Sequence, residues 1–129
     1  MNRLDKVLYV EDDPDIREIA AMALEDVGGF TLKTCESGEE ALREVEAFAP
    51  QMILLDVMMP GMDGTETLAA LRQQGSISPS TLAVFMTAKV HPEELQRYKT
   101  MGVENVISKP FDPMTLADEI QKIWETSNG

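Results

Sequence analysis

Six residues stand out because each ends or directly follows an apolar run. Glu11-Asp12-Asp13 follow residues 6–10, Asp56 follows 51–55, Thr87 follows 82–86 and Lys109 follows 104–108. Carboxylates brought close together raise each other's pKa unless a cation compensates. Mg²⁺ is the natural compensator: it takes about six oxygen ligands, keeps several waters, and combines one or two carboxylates with a phosphate. Zinc is disfavoured, since one cysteine and one histidine with no ligand spacing cannot build its usual site. A carboxylate can attack phosphorus. A metal, an ammonium and a hydroxyl can then neutralise charge on the equatorial oxygens.

Each residue also has a plainer explanation. Polar residues often end strands and cap helices, and Asp13 before Pro14 reads as such a cap. Lys109 could be a salt-bridge partner and nothing more. Asp56 resists the plain reading, because Val57-Met58-Met59-Pro60-Gly61-Met62-Asp63-Gly64 follows it as a loop rather than a helix it could cap.

The elements that must position these groups recur five times as a short apolar run followed by an amphipathic pattern. The runs are 6–10, 30–34, 51–55, 82–86 and 104–108. The first, third and fourth are nearly continuous in aliphatic, Met or aromatic residues, as strands buried on both faces of a parallel sheet are. Helix starts are readable at Asp13-Pro14, His91-Pro92 and Asp112-Pro113, and as capping boxes pairing Ser37 with Glu40 and Asp63 with Glu66. Ile16, Ile19, Ala20, Ala23, Leu24 and Val27 form the expected buried stripe of the first helix, stopped by Gly28-Gly29. Leu116, Ala117, Ile120, Ile123 and Trp124 form that of the last. Alternating strand and helix implies a parallel sheet with right-handed crossovers, an α/β doubly wound domain. Ligands in such sheets bind outside the carboxyl ends of the strands, where the six residues fall.

A chain of 129 residues, 43 % hydrophobic, suits one domain with its own core. No apolar run approaches the ~20 residues that cross a bilayer, and no signal segment is recognisable at the start. The lone Cys35 cannot form an internal disulfide, reads as a small buried hydrophobe, and makes a cytoplasmic setting the expectation. With 23 Asp+Glu against 11 Lys+Arg, the net charge of −12 argues against direct nucleic-acid binding.

In order and at strand ends, Val10-Glu11-Asp12-Asp13, Leu55-Asp56 with the loop through Gly64, Met86-Thr87-Ala88 and Lys109-Pro110-Phe111 together resemble the receiver domain of two-component response regulators. The chemotaxis receiver CheY typifies that family, and the resemblance runs from Val7 to about Trp124. It implies a (βα)₅ flavodoxin-like fold with a five-stranded parallel sheet of order 2-1-3-4-5, residues 1–129 forming a single receiver domain. It further implies that Asp56 is the phosphoacceptor and that Mg²⁺ (or Mn²⁺) is held by Asp12, by Glu11 mainly through water, by Asp56 and by the Met58 carbonyl. Thr87 and Lys109 would contact the phosphoryl oxygens, and the Lys109-Pro110 bond would be cis. The donor would be a phosphohistidine on a sensor histidine kinase or a histidine phosphotransfer protein. The chain would catalyse its own phosphotransfer and dephosphorylation as a signalling switch, without being an enzyme on other substrates.

One position departs from the family pattern. Val106 stands where most relatives carry an aromatic residue that turns inward as the threonine moves. Output is therefore expected through loop movement, or a phosphorylation-dependent homodimer, on a face near Glu94, Tyr98, Val106 and Phe111. The output partner is not legible. Other readings remain. A haloacid-dehalogenase-type phosphohydrolase would carry Asp-x-Asp after its first strand, whereas Asp56 is followed by Val57 and Met58. A flavodoxin-like electron carrier would need a Ser/Thr/Gly-rich phosphate loop in place of Glu11-Asp12-Asp13. A pseudo-receiver that only binds partners would not need every catalytic position filled.

Overall fold

Aliphatic runs become strands at all five expected places. β1 is Lys6–Val10, β2 Thr31–Cys35, β3 Met52–Asp56, β4 Leu82–Thr87 and β5 Val106–Ser108. The computed structural model describes residues 3–88, 91–103 and 105–128. Glu104, expected to open the fifth strand, and Lys89 and Val90, expected in a movable loop, lie outside the described residues. All strands pair in parallel in the order β2-β1-β3-β4-β5. The α/β doubly wound, flavodoxin-like arrangement expected from the sequence is the one observed.

Local signals explain the helix starts. α1 (Pro14–Met22) begins after Asp13, whose side chain accepts from the backbone N–H groups of Asp15 and Ile16, satisfying two otherwise unpaired donors. α2 (Gly38–Phe48) is capped by Ser37, which accepts from the Glu40 N–H. The expected reciprocal bond is displaced by one residue: Glu40 Oε1 takes the N–H of Glu36 at 2.7 Å. α3 (Gly64–Gln74) has the complete capping box between Asp63 and Glu66. α4 (Pro92–Thr100) starts at His91 with no side-chain cap bond. α5 runs Leu116–Asn128, later than the Asp112-Pro113 signal suggests. Asp112 instead organises a preceding turn: its side chain accepts from Met114 N–H, and its carbonyl from the N–H groups of Thr115 and Leu116.

Period-2 alternation sends strand residues to two cores. Val7, Tyr9, Leu54, Val84 and Met86 face α1 and α5, meeting Ala20, Leu24, Leu116, Ile120 and Trp124. Leu8, Val10, Ile53, Leu55 and Phe85 face α2, α3 and α4, meeting Ala41, Val45, Leu68, Leu71 and Tyr98. Every residue of β3 is buried, as a central strand covered on both sides must be. Each such Leu or Ile contributes about 1.5–3 kcal/mol of transfer free energy.

The stripe on α1 holds only in part. Val27 is 58 % exposed because the helix continues through a π-helical turn, Ala23–Val27, in which Gly28 N–H reaches back five residues to the Ala23 carbonyl. The extra residue rephases the last turn away from the core. Ile19 is 47 % exposed because, with Ile16, it lines an open apolar groove of about 370 Å³ against Phe111 and Pro113. Tyr98 also departs from expectation. It is 2 % exposed rather than part of a surface, with its ring edge-on to Phe85 at 4.8 Å between centroids. Phe111, grouped with it in the sequence reading, packs against the opposite core.

Candidate functional site

The chain leaves β1 toward β2, then crosses back past β1 to β3. This reversal puts the carboxyl ends of β1 and β3 side by side, the switch point at which open α/β sheets hold ligands. Glu11 and Asp12 follow β1 and Asp56 ends β3, so the topology places three carboxylates together. One oxygen from each lies within 4.8 Å of the others. Glu11 and Asp56 are 1 % and 2 % exposed, while Asp12 is half-buried at the rim. Thr87, at the end of the neighbouring β4, is buried, and its carbonyl accepts the Lys109 N–H at 3.0 Å. The Lys109-Pro110 peptide is cis, as expected.

Lys109 Nζ crosses into the acidic edge and contacts two carboxylates, Glu11 Oε1 at 2.8 Å and Asp56 Oδ1 at 3.3 Å. Met58 follows in the loop after β3; its N–H donates to Asp56 Oδ1 at 3.3 Å and its side chain is exposed. Every site residue singled out in the sequence thus lies at this edge.

The electrostatics follow from three charges in a nearly dry place. Burial pushes the Asp56 carboxyl up to about 7, and the hydrogen bond and negative charge of Glu11 push the same way against Lys109. Burial also works against Glu11, yet hydrogen bonds with Asp56 and Lys109 hold it below the usual carboxylate range. Lys109 loses hydration by burial, but the two carboxylates outweigh this and hold it above the usual lysine value. Asp56 therefore keeps its proton to a higher pH than an ordinary carboxyl does, while Glu11 gives its own up at a lower one.

Three supporting residues were not legible beforehand. Tyr9 is wholly buried and donates its hydroxyl to Glu11 Oε1 at 3.3 Å; two positions before Glu11, it shares that residue's side of the strand. Arg17, one helical turn after Asp13, donates to the carbonyls of Glu11 and Asp12 at 2.8 and 3.4 Å. Gly64 fits against the backbone after β3, where a Cβ would stand 2.5 Å from the Asp56 carbonyl oxygen and 2.9 Å from Val57 Cα.

Hard oxygen donors on three carboxylates, one of them at the solvent-reaching rim, fit a hydrated divalent cation of the Mg²⁺ type. The family model of the response regulator receiver domain matches residues 7–121. This chain belongs to the response regulator receiver domain family.

The receiver is 35 % identical to the response regulator Rre1 of Synechocystis over 91 % of its own length and 48 % of that protein. It is 33 % identical to the transcriptional regulatory protein PhoP of Bacillus subtilis over 95 % of its length and 49 % of that protein. The chain thus spans about half the length of these curated relatives. Among solved structures, the chemotaxis protein CheY4 of Vibrio cholerae superposes with a TM-score of 0.84 at 33 % identity, covering 93 % of this chain and 98 % of that one. Receivers are signalling switches of two-component systems, activated by phosphorylation, and they interact with histidine kinases and output partners. Among the described residues, no helix is long and apolar enough to cross a membrane.

Proposed function

We propose that Asp56 accepts a phosphoryl group from a phosphohistidine of a sensor histidine kinase or histidine phosphotransfer protein. The observation that carries this reading is the contact of Lys109 Nζ with Asp56 Oδ1 inside the Glu11–Asp12–Asp56 cluster. Asp56 Oδ forms the new P–O bond as the donor's P–N bond breaks, and the electron pair leaves with the imidazole nitrogen. Lys109 moves from Glu11 onto a phosphoryl oxygen, and the Thr87 hydroxyl donates to another. Asp12, Asp56, the Met58 carbonyl and Glu11 through water would hold Mg²⁺ or Mn²⁺, which supplies positive charge to the transferring oxygens. Hydrolysis reverses the occupancy: water attacks phosphorus, the Asp56–phosphoryl bond breaks, and the carboxylate returns with inorganic phosphate.

Residues 1–129 act in this reading as a single receiver domain in the cytoplasm, with no direct contact to nucleic acid. Output runs through α4, β5 and α5 to a partner protein or a second copy. The test is direct. Acetyl phosphate with Mg²⁺ should add one phosphoryl mass to the protein and none to Asp56→Asn. Equal labelling of that variant would falsify the assignment.

A further inference from the structure

We propose that Arg17 is a positioning residue for the cation site, acting through the peptide planes that aim Asp12. This rests on the cation-dependent phosphoryl transfer proposed above and names the residue that shapes its acidic loop.

The two carboxylates after β1 are held very differently. Glu11 is fixed by its own side chain, which accepts from Tyr9 Oη, Lys109 Nζ and the Asp13 N–H. Asp12, by contrast, is held through its backbone carbonyl, which accepts from Arg17. The backbone from which its side chain projects is held by Arg17. One guanidinium nitrogen donates to the Glu11 carbonyl at 2.8 Å and to the Asp12 carbonyl at 3.4 Å. These carbonyls belong to the peptide units on either side of the Asp12 Cα, so anchoring both leaves that residue little rotational freedom. Arg17 itself is anchored in α1, where its N–H donates to the Asp13 carbonyl at 2.9 Å.

Two rival roles are weaker. An ion pair with Glu36 is long, 4.0 Å, and Glu36 is 72 % exposed, so it contributes little. A purely electrostatic role has the wrong sign: a guanidinium beside a divalent cation repels it. If charge were all that mattered, removing Arg17 would tighten cation binding. If orientation matters more, removing it weakens binding although a repulsive charge is gone. The direction of the change separates the two.

The experiment titrates Mg²⁺ calorimetrically into the full chain and its Arg17→Ala, Arg17→Lys and Glu36→Ala variants. Arg17→Ala should bind roughly tenfold more weakly, as loss of a residue that orients a metal ligand typically does. Arg17→Lys keeps the charge on a flexible, more strongly hydrated ammonium and should also bind more weakly. Glu36→Ala should match the parent. Acetyl phosphate labelling of Arg17→Ala should be slow at limiting Mg²⁺ and recover at saturating Mg²⁺, which a misfolded site would not do. Should Arg17→Ala not fold, Arg17→Met keeps the apolar stem and carries the same comparison. Unchanged or tighter binding without the guanidinium, or parental affinity in Arg17→Lys, would overturn the positioning role while leaving phosphorylation of Asp56 intact. A parent chain that neither binds Mg²⁺ nor takes up phosphoryl would sink both readings.

Discussion

Lys109 Nζ sits closer to Glu11 Oε1, at 2.8 Å, than to Asp56 Oδ1, at 3.3 Å. The ammonium is thus held mainly by the neighbour of the expected phosphoacceptor, in a place where it can change partners without crossing solvent.

That relationship predicts the behaviour of Glu11→Gln. With the neighbouring charge removed, Lys109 should shift to Asp56, whose carboxyl should fall from about 7 toward the ordinary carboxylate range. Carbon-detected NMR titration of the Asp56 side chain measures this. An unmoved titration midpoint would show that burial alone holds Asp56 up.

Asp56→Asn should stabilise the cation-free protein at alkaline pH. The folded state raises Asp56 from 3.8 to about 7, so it binds that proton more tightly than the unfolded chain. Ionising Asp56 therefore destabilises the fold, starting above pH 4 and complete above pH 7. Glu11, held low, acts in the opposite sense: its contribution is present above 4.5 and lost in more acidic solution. At pH 8 in EDTA, denaturant titration of Asp56→Asn should show a gain of about 1–3 kcal/mol. At pH 4 the gain should vanish. A gain of equal size at both pH values would mean that Asp56 ionisation is not its source.

Mg²⁺ affinity should rise with pH between 6 and 8. A cation must displace the proton that the raised Asp56 carboxyl holds, so affinity should fall by up to about tenfold per unit below the Asp56 midpoint and level off above it. Calorimetry in buffers of different ionisation heat would count the released proton. A flat profile would contradict a raised Asp56 carboxyl in the resting site.

Gly64→Ala should damage the site from behind. The added methyl would meet the Asp56 carbonyl and Val57 Cα, both backbone, so it cannot be absorbed by a rotamer change. Overpacking of this kind costs about 1–3 kcal/mol. Thermal unfolding should report it, and acetyl phosphate labelling should slow even at saturating Mg²⁺. A variant with parental stability and labelling would show that the loop after β3 has room to move.

Beryllofluoride with Mg²⁺, a mimic of the phosphoryl group, should perturb backbone amides of α4 and β5. Val106 is half-buried beside its strand partner Phe85, where an inward-turning aromatic residue would otherwise stand. Signal transfer should therefore appear as displacement of α4 and its leading loop. Shifts confined to the loops after β1 and β3 would remove this face from the output route.

Much of the fold was legible because its signals are local. Asp13, Ser37 and Asp63 each cap the next residues through a bond spanning two or three positions, which the sequence displays directly. Residues Leu8 and Val10 alternate with Val7 and Tyr9 because a strand has period two, whatever surrounds it. The failures came where a neighbour decided. Ile19 stays exposed because it lines an open groove with Phe111, and Val27 turns outward because one π-helical turn shifts the phase of α1.

The sequence alone determined which groups could do chemistry here: three carboxylates, a hydroxyl and an ammonium, each tied to the end of a strand. The tertiary structure decided what those groups are to one another. Strand order brought β1 beside β3, and burial then pushed Asp56 up while Glu11 was held low, the two dividing Lys109 unequally. It also recruited Arg17, whose guanidinium comes within hydrogen-bond reach of the Glu11 carbonyl only once α1 has packed beside β1. Such contacts lie beyond sequence reasoning for a physical reason. Residue type and spacing set which bonds a group can make, whereas the distance and dielectric that set a bond's strength exist only in the packed chain.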